Sequence, residues 1–187
     1  MENDLFAAGE PQTIADVVEN KDQRAALQTK LCQQYPTATL IVLKMNIPGP
    51  IKNNAALQAI FAVGQKELLT RIGKKDVHRV EYQANWSKNT GNESFLVVDR
   101  EATELKKITT NFEEEFVLGR LFDADVLSAQ TDLKPMTRHS LGLPVRKCFL
   151  CGRPAKECSR SRRHSIQELQ SAINAAWQKF ETTRFTS

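Results

Sequence analysis

The chain has 187 residues, 41% of them hydrophobic, which is enough to bury a core, so a single domain over residues 1–187 is expected. The acidic opening "MENDLFAAGE" lacks the basic-then-apolar pattern of a secretory signal, and no apolar run approaches the roughly 20 residues that span a bilayer; the expected location is cytoplasmic, with no membrane partner. Cytosolic thiols stay reduced, so Cys32, Cys148, Cys151 and Cys158 read as free thiols or metal ligands and not as a disulfide framework.

Thr13 and Asp16 stand at capping-box spacing and predict either one helix over the N-terminal segment 13–36 or two with a break near Asn20 to Asp22, with a stop at Pro36. An α+β core is expected over 39–142. It begins with "TLIVLKMNI", a buried strand over 39–47, followed by the loop "PGPIKNN" and a helix with Leu57, Ile60, Phe61, Gly64, Leu68 and Ile72 on one face, ended by Gly73. "HRVEYQANW" alternates, with His78, Val80, Tyr82, Ala84 and Trp86 on one side, and with the turn "KNTGNE" and the apolar "SFLVV" it predicts a hairpin. "REATELKKITTNFEEE" reads mainly as a helix, "GRLFDADVLS" as a strand, and "SAQTDLKPM" as a turn into a short strand around Thr137 to Leu141. A Cys- and Arg-rich segment opens the last part, 143–187. The final helix there starts at the capping-box pair Ser165 and Glu168 and carries the stripe Ile166, Leu169, Ile173, Trp177 and Phe180. The sum is an α+β fold with a mixed or antiparallel sheet flanked by helices.

The net charge of +4 is unevenly spread. From Arg138 to His164 there are eight basic residues (Arg138, Arg146, Lys147, Arg153, Lys156, Arg160, Arg162, Arg163) and one acid, Glu157, so this segment carries +7 and the remainder −3. Such a segment suits an anionic partner, a polyphosphate or nucleic acid; the plainer reading is a solvated basic loop.

Three stretches carry chemistry. On a regular strand Leu121, Asp123, Asp125 and Leu127 share one face, while Phe122, Ala124 and Val126 take the other. Two carboxylates so close repel each other unless a cation sits between their oxygens or one keeps its proton, and Mg²⁺ is the ion that paired carboxylates usually hold together with substrate phosphates. The plainer reading is an acidic pair on the polar face of a surface strand. In "NIPGPIKNN", Gly49 lies between two prolines after a strand and before a helix, where backbone can approach a phosphate and Lys52 can add a charge; a stiff turn with Asn53 or Asn54 as N-cap is the plainer alternative. "RKCFLCGRPAKECSRSRRH" places Cys148, Cys151, Cys158 and His164 at spacings that begin like a zinc knuckle but depart from the common patterns in the second half. Either they hold a structural zinc, or the cysteines are small hydrophobes packing a short helix.

At these places the sequence resembles the CitX family, the apo-citrate lyase phosphoribosyl-dephospho-CoA transferases, also called citrate lyase holo-acyl-carrier-protein synthases. "NIPGPIKN", "GRLFDADV" and "LPVRKCFLCGRPAKECSRSRRH" occur in family order, and the likeness extends over nearly the whole chain. The resemblance implies a nucleotidyltransfer: the donor is 2'-(5''-triphosphoribosyl)-3'-dephospho-CoA, the acceptor is a serine of the citrate lyase acyl-carrier (gamma) subunit, and pyrophosphate leaves. It also implies a nucleotidyltransferase-like fold, although the Gly-Ser turn that precedes paired aspartates in nucleotidyltransferase palms is missing here. On that reading Asp123 and Asp125 hold Mg²⁺, one of them being a candidate acceptor for the serine proton. Gly49, Lys52, Arg146, Arg160 and Arg162 are the candidate substrate-binding residues, and Glu81 and Asp99 the candidates for a third carboxylate. No nucleic acid is expected. The competing readings are a zinc-stapled nucleic-acid-binding module and a non-catalytic chaperone of the carrier subunit.

Overall fold

A computed structural model of the chain describes residues 4–73, 80–131 and 133–185. The first helix, α1 (Ile14–Gln34), opens on the capping box: Thr13 Oγ1 accepts from the Asp16 amide at 3.2 Å, and Asp16 Oδ2 accepts from the Thr13 amide at 2.8 Å. Of the two alternatives, one helix or two, it is the single one, unbroken at Asn20 to Asp22. Asn20 is buried there and its side-chain amide donates to Glu93 Oε1 at 2.8 Å, so a tertiary bond holds a residue of weak helix propensity in place. Strand β1 (Thr39–Met45) leads to α2 (Ala55–Ile72), which Asn54 caps by accepting from the Leu57 amide at 2.9 Å. Leu57, Ile60, Phe61, Gly64, Leu68 and Ile72 are all buried, as their spacing predicts, and Gly73 ends the helix.

Strands β2 (Val80–Lys88) and β3 (Gly91–Val98) form the expected hairpin. Lys88 pairs with Gly91, so the connection is only Asn89 and Thr90 and most of "KNTGNE" is strand. The start of the alternating run, at His78 and Arg79, lies outside the described residues. Helix α3 (Ala102–Glu115) follows, then a 3-10 turn over Gly119–Leu121 and strand β4 (Phe122–Ser128). The short strand expected near Thr137 to Leu141 is instead a 3-10 turn over His139–Leu141: Thr137 Oγ1 accepts from the Ser140 amide at 3.2 Å and the Arg138 carbonyl from the Leu143 amide at 3.0 Å, local bonds that replace a strand partner. A short α4 (Ala155–Arg160) precedes α5 (Ile166–Phe185), which Ser165 and Glu168 cap reciprocally as expected. Among the described residues no helix is long and apolar enough to cross a membrane.

The sheet order is β2-β3-β1-β4 and every neighbouring pair is antiparallel. The fold is therefore α+β, and β1 is a central strand because its residues 39–43 are buried and apolar apart from Thr39. One face of the sheet, with Ile41, Leu43, Leu96, Val98, Phe122, Ala124 and Val126, joins α2, α3 and Ile173 of α5 in the main core. The other face, with Leu40, Val42, Phe95, Val97 and Leu127, packs against Leu31 and Cys32 of α1. Leu121, expected beside the aspartates, lies in the main core instead. The 3-10 turn that contains it interrupts the two-residue alternation before the strand begins.

Gly64 shows how closely α2 approaches the sheet. A Cβ there would lie 2.0 Å from Phe122 Cζ, and that ring is itself packed edge-on against Phe112 at a centroid distance of 5.4 Å. Alanine inside a helix normally stabilises by about 1 kcal/mol over glycine. Here overpacking wins, and Gly64→Ala is expected to lower the unfolding free energy by about 1–3 kcal/mol in urea titration. A gain in stability would show that Phe122 is free to move aside.

Candidate functional site

Strand pairing places Asp123 opposite Lys44 and Asp125 opposite Val42, with Lys44, Val42 and Leu40 on the α1 side of β1. Lys44 Nζ lies 2.9 Å from Asp123 Oδ2 and 2.5 Å from Asp125 Oδ2. Of the two ways to relieve the repulsion between the carboxylates, a cation or a retained proton, the chain uses a cation, and supplies it itself. Burial would push the Asp123 carboxyl up, but the charge and hydrogen bond of Lys44, with Arg146 and Lys106 beyond it, outweigh burial and hold it below the usual value. Burial would likewise lower the Lys44 ammonium; Asp123 and Asp125 outweigh it and raise it. The Asp123 side chain is 43% exposed and that of Asp125 27%, so the pair is reachable from solvent.

β4 is an edge strand, and its outer backbone groups are satisfied by side chains and by a neighbouring segment. Glu113 Oε1 of α3 accepts from the Ala124 amide at 2.9 Å, Lys106 Nζ donates to the Ala124 carbonyl at 3.4 Å, Arg146 Nη2 donates to the carbonyls of Phe122 at 2.6 Å and Arg120 at 2.9 Å, and the Met136 amide donates to the Val126 carbonyl at 2.8 Å. The buried Glu113 carboxylate pairs with Arg138 and, at 3.1 Å, with Arg146, whose Nη1 is also 3.6 Å from Asp123 Oδ1. Burial pushes the Lys106 ammonium down against the pull of Glu113, Asp125 and Asp123. The aspartates thus sit among Lys44, Lys106 and Arg146, a setting that tolerates an anionic ligand.

The loop after β1 leaves the sheet at the aspartate end, since the Asn46 amide donates to the Leu121 carbonyl at 2.8 Å. Gly49 has φ +85°, and a Cβ there would meet Gln170 Nε2 at 2.7 Å and Ile166 Cγ2 at 3.1 Å; only glycine lets this turn seat on the first turns of α5. Lys52 Nζ donates to the Ile47 carbonyl at 2.6 Å and burial lowers its pKa, so Gly49 and Lys52 shape the loop. Arg160 and Arg162 are exposed on α4 and the turn after it. Asp99 follows Val98, whose partner row runs through Thr39 to Ser128, so it lies at the opposite end of the sheet from Asp123; the side chain of Glu81 is outside the described residues.

Cys148 and Cys151 lie in a tight turn closed by the Cys148 amide on the Arg153 carbonyl at 2.7 Å and the Ala155 amide on the Arg146 carbonyl at 2.8 Å. Cys158 comes from α4 and His164 from the residues just before α5. Their ligand atoms all lie within 4.8 Å of one another, with Cys151 Sγ 3.3 Å from both Cys158 Sγ and His164 Nε2, so the cluster could hold a metal ion. The backbone amide of Arg153 and the side chains of His164 and Cys158 draw Cys151 down to about 6, whereas burial and its sulfur neighbours push Cys158 up to about 11. One thiolate forms readily at neutral pH, and further ones need a cation to compensate them.

Sequence reasoning missed Lys44, Glu93, Lys106 and Glu113. Glu93 pairs with Lys44 across β3 and β1 and shares its face with Asp123, so it is the carboxylate of the neighbouring strand row. The one available signal was the lysine in "TLIVLKM", a charge ending a buried run at the parity of Leu40 and Val42.

Arg146 and Arg160 can be told apart by stability. Arg146→Lys loses a guanidinium that donates to two carbonyls and pairs its charge with Glu113 and Asp123, and is expected to cost about 1–3 kcal/mol in urea titration. Arg160→Lys, on an exposed site, is expected to stay within about 0.5 kcal/mol of the parent. Equal losses would show that Arg146 is no strut for β4.

Comparison with known proteins identifies the family. The family model for CitX, apo-citrate lyase phosphoribosyl-dephospho-CoA transferase, matches residues 12–180. A Streptococcus pyogenes serotype M3 protein named "Probable apo-citrate lyase phosphoribosyl-dephospho-CoA transferase" is 35% identical over 178 residues, 95% of this chain and 91% of that one. The Citrobacter koseri apo-citrate lyase phosphoribosyl-dephospho-CoA transferase is 34% identical over 157 residues, 84% of each chain. "Protein CitXG" of Leuconostoc mesenteroides subsp. cremoris is 35% identical over 181 residues, 97% of this chain and 38% of the longer protein. The chain belongs to the CitX family of apo-citrate lyase phosphoribosyl-dephospho-CoA transferases.

Proposed function

We propose that Asp123 and Asp125 are the catalytic pair of this transferase, holding Mg²⁺ beside the triphosphate of 2'-(5''-triphosphoribosyl)-3'-dephospho-CoA while a serine of the citrate lyase acyl-carrier (gamma) subunit attacks the α-phosphorus. Family membership gives the reaction, transfer of phosphoribosyl-dephospho-CoA to apo-citrate lyase, and makes the chain an enzyme and not a nucleic-acid module or a chaperone. The observation that carries the site is the aspartate pair itself: two hard-oxygen ligands held together by a cation, partly exposed, and surrounded by positive charge. When bound, Mg²⁺ neutralises charge on the phosphoryl oxygens and on the leaving pyrophosphate.

The chain's own groups then do the rest. Asp123 and Asp125 orient the donor phosphates, and one of them accepts the serine proton as the Ser–O–P bond forms and the bond to pyrophosphate breaks. Arg160 and Arg162, both exposed, bind phosphate oxygens; Gly49, Lys52 and Arg146 serve substrate binding by fixing the loop and strand on which it depends. The nucleophile comes from the carrier, which is why this chain needs no Ser-His-Asp set. Such a partner and three reduced thiols in one cluster suit a cytoplasmic enzyme.

Zinc is the metal we assign to Cys148, Cys151, Cys158 and His164, because three sulfurs and an imidazole form its usual closed tetrahedral donor set. Its role is structural. Arg146 joins the cluster to the aspartate strand, its carbonyl accepting from Ala155 at the start of α4 and its guanidinium reaching Phe122 and Asp123.

Intact-mass analysis of the carrier subunit after incubation with donor, Mg²⁺ and enzyme tests the catalytic assignment. Asp123→Asn and Asp125→Asn are expected to slow carrier modification by about 10²–10⁴-fold while the variants stay folded. Near-normal turnover by both would sink it. For the cluster, metal analysis of protein purified without chelator is expected to approach one zinc per chain, and zinc removal to raise amide exchange across residues 146–164 and slow transfer. Full stability and exchange protection without metal would favour packed thiols.

A further inference from the structure

Lys44 lies between two carboxylate neighbours: Asp123 opposite it on β4 and Glu93 opposite it on β3, all on one face of the sheet. Its ammonium bonds the aspartates at 2.9 and 2.5 Å. Glu93 has other donors, because Oε1 accepts from Asn20 Nδ2 at 2.8 Å and pairs with Arg24, both from α1. The second oxygen, Glu93 Oε2, is buried and has no hydrogen-bond partner among the described residues, and the side chain is only 4% exposed. A buried carboxylate oxygen without a donor is costly and calls for an explanation. Directly opposed residues on antiparallel strands have Cβ atoms about 4.5–5.5 Å apart, well within the reach of a lysine side chain.

We propose that Lys44 is a movable counter-ion with two stations, the Asp123–Asp125 pair and Glu93 Oε2. The proposal rests on the reading of the aspartates as ligands of a divalent cation. With its ammonium on the aspartates, Lys44 keeps two like charges together, so the ligand set is assembled in advance. A divalent cation at the same oxygens repels the ammonium and removes its partners. Glu93 Oε2 then receives it, which satisfies the orphan oxygen and keeps the displaced charge paired in the same row of the sheet. Lys44 is thus a positioning residue. The cost of moving it sets how tightly the aspartates take their metal, and Glu93 lowers that cost.

Mn²⁺ titration of the full chain followed by electron paramagnetic resonance at neutral pH tests this without any turnover. Lys44→Met is expected to bind Mn²⁺ about tenfold more tightly than the unaltered protein, since the competing charge is gone. Glu93→Gln is expected to weaken binding about threefold when Lys44 is present and to change nothing in the Lys44→Met protein, the signature of two residues acting through one ammonium. Equal affinity with and without Lys44, in a protein whose binding is lost on Asp123→Asn, overturns the proposal and leaves the aspartate reading standing. Binding unaffected by both Asp123→Asn and Asp125→Asn overturns that reading, and the proposal with it. A Glu93→Gln effect that persists without Lys44 overturns the second station. Should these variants not fold, the unaltered protein still decides: Mg²⁺ is expected to shift the carbon-13 carboxyl resonance of Glu93, and a resonance unmoved at saturation overturns the proposal.

Discussion

Two carboxylates on one face of an edge strand repel each other at a separation of a few ångströms, and that repulsion has to be answered before anything else about this molecule works. β4 answers it through its neighbour. Lys44 reaches both carboxylates only because β1 and β4 run antiparallel in a register that sets Lys44 directly against Asp123. A slip of one residue would turn Lys44 toward the main core and take from the aspartates the cation that bonds them both. Burial of Leu40, Val42 and Leu127 on one face, and of Ile41, Leu43, Ala124 and Val126 on the other, holds that register.

The same strand carries a second burden, an open edge. Its backbone groups are met by Glu113, Lys106 and Arg146 and by the Met136 amide, so the side chains that blunt the edge are charged and crowd near the aspartates. One set of cations therefore both closes the sheet and sets the field at the site. Arg146 extends this coupling to the Cys and His cluster, since its carbonyl closes the turn that carries Cys148 and Cys151 and its guanidinium engages β4. Phe149, between Cys148 and Cys151, packs against the main core and seats their turn on it.

Local chemistry was legible without the structure. Both capping boxes, the apolar stripe of α2, the helix stop at Gly73 and the strand β1 follow from signals spaced within a turn or a pleat, and each formed as read. The readings that failed or stayed open depended on partners elsewhere in the chain. Whether α1 is one helix or two was left open, and the bond from Asn20 to Glu93, far away in sequence, goes with the single one. Residues 137–141 find local bonds and not a strand, and Leu121 changes faces because a 3-10 turn precedes β4.

The sequence by itself determined the inventory of the site: paired aspartates at strand spacing, three cysteines and a histidine close together, and a basic C-terminal segment, in an order that marks the family. Which cation meets the aspartates was decided only by tertiary structure, as were the neighbour row through Glu93 and the engagement of Arg146 and Lys52 with backbone carbonyls. The physical reason is the range of the interactions. Caps and periodicities act over a few bonds and leave their spacing in the sequence, whereas strand order and register arise from burying both faces of a sheet, and no local spacing records which lysine will stand opposite which aspartate.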